Sequence, residues 1–145
     1  MGIRRTSHAV YDTRYHLVWY PKYKKKLFAQ RQLRERAEEI FLEIADQYDL
    51  EIEEMAVSED HIHLLISFPP RYSISEVVKT MKSISARVLF KEYPSIKKEL
   101  WNKEIWEDGY FARTVGDRMT ADIIERYISN HKTEKQPLSQ LDFEL

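Results

Sequence analysis

The sequence predicts an α+β domain, an antiparallel sheet carrying its helices on one face. Two observations predict it: short runs rich in β-branched and aromatic residues alternate with long segments of helical apolar period, and their order is β-α-β-β-α-β followed by one more helix. The 145 residues fit one domain spanning 1–145, long enough to bury a core without disulfides or a structural metal.

Arg14 to Tyr20 (RYHLVWY) has the composition of a strand, and Pro21 ends it. Between Phe28 and Tyr48, the residues Leu33, Ala37, Ile40, Phe41, Ile44, Ala45 and Tyr48 recur at helical spacing with charges on the opposite face. Leu50 to Val57 and His61 to Phe68 are two short runs split by Ser58-Glu59-Asp60, a hairpin that Pro69-Pro70 closes. Ser73 with Glu76 forms a capping box, and Ile74, Val77, Val78, Met81, Ile84, Val88 and Leu89 give the stripe of a second helix, with Pro94 just beyond its end. An irregular stretch carrying Trp101 and Trp106 leads to GYFARTVG, a short strand opened by Gly109. Thr120 caps a last helix with Ala121, Ile124 and Ile128, and the tail after about residue 137 reads as irregular. This order fits a ferredoxin-like sheet, a layout shared by many unrelated functions, so function has to be argued from a site.

Composition narrows the classes. Cysteine is absent, which excludes thiolate metal sites and disulfide frameworks. The sequence contains no apolar run of the roughly 18 residues a membrane span needs, and its first residues lack the apolar core of a secretory signal, so a cytoplasmic location is expected. Net charge is −1, but it is unevenly spread. Arg4, Arg5 and the run Lys22, Tyr23, Lys24, Lys25 and Lys26 are basic, whereas Glu35 to Glu54 is largely acidic apart from Arg36, which suggests one basic side. Such a run suits a phosphate backbone, with Tyr23 available to stack a base, and Lys79, Lys82 and Arg87 extend it. A solvated surface explains the same composition.

His61-Ile62-His63 places two imidazoles on one face of a strand while Ile62, Leu64, Ile66 and Phe68 point the other way. Neutral imidazoles in register suit a divalent ion, although spacing alone fits two exposed strand histidines as well. Tyr127 and His131 lie four apart on the last helix and so share a face. A phenol titrates near pH 10 and needs a nearby cation to act as a nucleophile at neutral pH; a packing role against Ile124 and Ile128 is the alternative.

The combination resembles the HUH superfamily, whose members use a His-hydrophobic-His strand and a helix-borne tyrosine to nick single-stranded DNA. Further blocks are similar to the small single-strand transposases of the insertion-sequence two-hundred / six-hundred-and-five family: HLVWYPKYKKKLF, EDHIHLLISFPP, SISEVVKTMKSISARVLFKEYP, a tryptophan followed by EDGYFARTVG, and IIERYISNHK. Their order and spacing cover about His16 to His131.

The resemblance implies that His61 and His63 hold a divalent metal ion, magnesium or manganese, and that Tyr127 is the nucleophile. Where family members commonly place a glutamine as third ligand, this chain has His131, which keeps a metal-binding side chain. Tyr127 would attack the scissile phosphate to form a 5'-phosphotyrosine, and a second 3'-hydroxyl would rejoin strands without a nucleotide cofactor. The implied partners are single-stranded or hairpin DNA and a second copy of the chain, as a homodimer. An inactive or domesticated relative that only binds nucleic acid is the alternative. An RNA-binding module of the same layout lacks its aromatic signature here. The two-histidine phosphoesterases need His-x-Thr/Ser motifs, which His8-Ala9-Val10 and His16-Leu17-Val18 do not supply.

Overall fold

The structure, a computed structural model, describes residues 3–22, 27–100, 104–115, 125, 126, 128 and 129. In chain order the elements are β1 (Arg4–Arg5), β2 (Val10–Tyr11), β3 (Tyr15–Trp19), α1 (Arg31–Tyr48), β4 (Glu51–Val57), β5 (Ile62–Ser67), α2 (Ile74–Glu92), α3 (Pro94–Glu99) and β6 (Phe111–Thr114). The main sheet has the order β4-β5-β3-β6 with every neighbour antiparallel, which is the ferredoxin-like arrangement. Of the expected last helix, residues 125, 126, 128 and 129 are described and are helical.

The apolar spacing of α1 explains its placement: Leu33, Ala37, Ile40, Phe41, Ile44 and Ala45 are its buried residues. Asp49 ends it with a left-handed backbone (φ 65°), a conformation its short polar side chain tolerates. The capping box of α2 forms as expected. Ser73 Oγ accepts from Glu76 N at 3.1 Å and Glu76 Oε1 accepts from Ser73 N at 2.8 Å. Val77, Val78, Met81, Ser85 and Leu89 are the buried positions of α2. Both helices share one core with Leu17 and Trp19 of β3 and Ile62, Leu64 and Ile66 of β5. Among the described residues no helix is long and apolar enough to cross a membrane.

Three features add to the expected elements. Residues 4–11 form a small hairpin, β1–β2, closed by Thr6 N donating to Ala9 O at 2.8 Å. Pro94 does not simply follow α2 but opens α3, since a proline at the first helical position loses no hydrogen bond. The stretch before β6 is irregular in backbone yet central in packing. Trp106 is 4% exposed; it stacks on Phe28 at 5.2 Å and meets Trp19 edge-on at 6.2 Å. Its indole Nε1 donates to Ser85 Oγ at 2.9 Å, so a buried polar group on α2 anchors the loop. Lys22 N to Ile105 O (2.7 Å) and Glu107 N to Tyr20 O (2.9 Å) continue β3's pairing beyond the sheet.

Candidate functional site

Strand alternation gives the sheet two unlike faces. Leu17, Trp19, Ile62, Leu64 and Ile66 point into the core under the helices, so His16, Val18, His63 and Leu65 lie on the opposite face. Register fixes their neighbours there. Val18 pairs with His63 and His16 with Leu65 across β3–β5, Ala56 pairs with His63 across β4–β5, and His16 pairs with Arg113 across β3–β6.

His61 sits one residue before β5, where the β4–β5 turn holds it: Ser58 N donates to His61 O at 2.9 Å. Its ring is buried, 6.5 Å centre to centre from Tyr20. His61 Nδ1 donates to the buried Asp60 carboxylate at 2.9 Å, which fixes the orientation of the ring.

His63 meets His16, with Nε2 of His63 2.8 Å from Nδ1 of His16. The ring centres are 5.0 Å apart and the planes differ by 21°, so the nitrogens lie between two rings placed end to end. Burial pushes His63 down to about 4, with the like charges of His16 and His61 adding to the effect. Burial also lowers His16, against a smaller raising pull from Glu54. Both rings are therefore neutral at pH 7, the form in which imidazole can coordinate or share a single hydrogen bond.

His63 thus stands on β5, whereas His61, expected on the same strand, lies in the turn before it, close enough for its charge to act on His63; other expected residues fare differently. Tyr127 and His131 lie outside the described residues, as do Tyr23, Lys24, Lys25 and Lys26. Lys22 is described, with Nζ 3.6 Å from the exposed Glu104 carboxylate. Arg4, assigned to a basic side, instead pairs with Glu51 and, at 3.6 Å, Glu53, because the β1–β2 hairpin lies against the acidic strand β4. Lys82 is not a free surface cation either: Nζ donates to Glu107 O (2.8 Å) and Gly109 O (2.7 Å), clipping the loop before β6 to α2. Lys79 and Arg87 are exposed.

Two residues of the site were missed in the sequence. Asp60 directly precedes the histidine pair and could have been flagged as its hydrogen-bond acceptor. His16 carries only the signal of alternation with Val18, because its partner lies 47 positions away.

These groups fit a divalent ion. His63 is a neutral imidazole on the sheet face, and His61, near enough for its charge to act on His63, is oriented by a carboxylate in the way metal-bound histidines are. Among the described residues no three His, Asp or Glu side chains converge as a complete ligand set. A cavity of about 510 Å³ lies between α2 and the 104–110 loop, lined by Val78, Lys82, Phe90 and Tyr110 among others, and shares no residue with the histidine face.

Known proteins share this plan. The family described as "Transposase IS200 like" matches residues 9–131. The chain is 36% identical over 125 residues to the ISDra2 transposase TnpA of Deinococcus radiodurans, covering 86% of this chain and 89% of that one. It is 30% identical over 135 residues to the transposase for insertion sequence element IS200 of Salmonella typhimurium, covering 93% and 87%. A crystal structure from Deinococcus radiodurans superposes with a TM-score of 0.73 at 31% identity, covering 88% of this chain and 96% of that one. A REP-associated tyrosine transposase bound to a REP hairpin superposes at 0.53 with 12% identity, covering 94% and 76%, a likeness of fold alone. With the family match spanning the strand of the paired histidines and most of the chain, this protein belongs to the IS200-like transposase family.

Proposed function

We propose that the chain cuts and rejoins single-stranded DNA at insertion-sequence ends through a 5'-phosphotyrosine on Tyr127. The observation that carries this reading is neutral His63 on the sheet face, with His61, oriented by Asp60, within electrostatic reach of it, in a member of a transposase family. His61 and His63 would hold a magnesium or manganese ion, with His131 of the last helix as third ligand. When bound, the ion supplies Lewis-acid polarisation of the scissile phosphate.

The protein's own part is positioning. Val18 and Ala56 flank His63 on the neighbouring strands, so its backbone is fixed from both sides. Asp60 keeps the His61 ring from turning. The phenolic oxygen of Tyr127 attacks phosphorus in line and gives up its proton. The bond to the 3'-oxygen breaks, and a 3'-hydroxyl leaves. The phosphodiester energy stays in the tyrosine linkage, so a second 3'-hydroxyl can attack it and rejoin strands with no nucleotide cofactor.

Lys22, Tyr23, Lys24, Lys25 and Lys26 would track the DNA backbone. Hairpin DNA at the element ends is the form we expect to be bound, as the family resemblance implies. A homodimer in the cytoplasm completes the reading. The test is a nicking assay with manganese on end-labelled single strands from the DNA flanking the gene. Wild type should give a covalent protein–DNA adduct and Tyr127→Phe none, with binding retained. An adduct that persists in Tyr127→Phe overturns the assignment of the nucleophile. Binding without any nicking by wild type overturns the enzyme in favour of a DNA-binding relative.

A further inference from the structure

The His16–His63 contact constrains where protons can sit. A neutral imidazole carries one N–H and one lone pair. Two neutral rings joined through Nδ1 of His16 and Nε2 of His63 hold one proton between those atoms. If His16 donated it, His63 would spend its lone pair on His16 and keep its own proton on Nδ1, with nothing to offer an ion. If His63 donates, its Nδ1 is left with a lone pair. Only the second arrangement is compatible with His63 as a ligand while the contact persists.

The contact is also built to persist. Both rings are partly buried, on adjacent strands whose register places His16 opposite Leu65 and His63 opposite Val18. The near-coplanar, end-to-end geometry is that of an in-plane hydrogen bond and not of a face-to-face stack. His16 does not complete a three-residue ligand set with His61 and His63, so its effect has to pass through His63.

We propose that His16 is a positioning residue for His63: its Nδ1 accepts from Nε2–H of His63, which fixes the orientation and tautomer of that ring and leaves Nδ1 of His63 to face a divalent ion. This rests on the reading of His61 and His63 as ion-holding residues. It adds to that reading a residue from a different strand, so the centre is organised by β3 as well as β5.

The test uses the full chain without DNA. Manganese affinity is measured by calorimetry and electron paramagnetic resonance for wild type, His16→Leu and His16→Asn. Asn presents Oδ1 where Nδ1 stands and keeps the acceptor, whereas Leu fills the space without one. His16→Leu should weaken affinity by about 10- to 100-fold, the range for loss of a partner that orients a ligand, and His16→Asn should restore most of it. Long-range nitrogen–proton NMR correlation on the metal-free wild type should show His63 protonated at Nε2. Equal affinity in wild type and His16→Leu overturns the inference alone, as does a His63 protonated at Nδ1. A wild type that binds no manganese overturns the reading of the ion site as well. The tautomer measurement needs no variant, so it decides the matter even if His16→Leu does not fold.

Discussion

Asp60 and His61 are adjacent in the chain and close on each other, the carboxylate accepting from Nδ1–H at 2.9 Å with both side chains buried. Neighbours in an extended strand point to opposite faces, so this contact exists only because His61 lies in the turn before β5.

Removing that acceptor should loosen the His61 ring without changing the fold. Asp60→Ala is expected to weaken manganese binding by about 10- to 100-fold, and Asp60→Asn, which can still accept through Oδ1, by less. Calorimetric titration of both variants checks the order. Unchanged affinity in Asp60→Ala would remove the carboxylate from the site.

The buried neutral ring of His63 makes stability depend on pH. In the folded chain it titrates at about 4 against an ordinary 6.5, so between these values the unfolded state binds the more protons. Its contribution is complete above pH 6.5 and declines as pH falls toward 4. Burial lowers His16 too, with the same sign. Melting temperature followed by circular dichroism should therefore drop through this window in the metal-free protein, and His63→Gln should flatten the dependence. A wild-type profile no steeper than that of His63→Gln would refute it.

The Ser85–Trp106 hydrogen bond tests whether the loop before β6 is anchored from α2. Ser85→Ala leaves the buried indole N–H without its acceptor and is expected to cost about 1–3 kcal/mol in chemical denaturation. Adding Trp106→Phe removes the donor as well, so the double variant should lose less than the sum of the two single losses. Simple additivity would show that the hydrogen bond carries no coupling.

By the resemblance, His131 stands where a glutamine would be expected. If it completes the ion site, His131→Ala should raise the manganese concentration needed for half-maximal cleavage by at least about ten-fold, and His131→Gln should recover much of the loss, since a carboxamide oxygen coordinates hard cations. An unchanged manganese dependence in His131→Ala would leave His61 and His63 as the only ligands among these residues.

What the sequence determined by itself follows from local physics. The apolar spacing from Leu33 to Ala45 set the buried face of α1, Ser73 and Glu76 set the start of α2, and alternation around Ile62 and Leu64 set which face of β5 is core. That His61 and His63 lie near each other is legible because they are two residues apart, but His61 sits in the turn before β5 and not on the strand that alternation assumed. The tertiary structure alone decided the relations between elements. Strand order places β3 between β5 and β6, which brings His16 onto His63 across 47 positions. The packing of the separate β1–β2 hairpin lays Arg4 against Glu51 and Glu53, cancelling a charge that composition assigned to a basic side. Trp106 read as part of an irregular stretch because its neighbours have no period, yet Phe28, Trp19 and Ser85 converge on it from three separate segments. Periodicity records which way a side chain faces; which partner it meets depends on register and packing between distant segments, and one chain's spacing carries no signal of those.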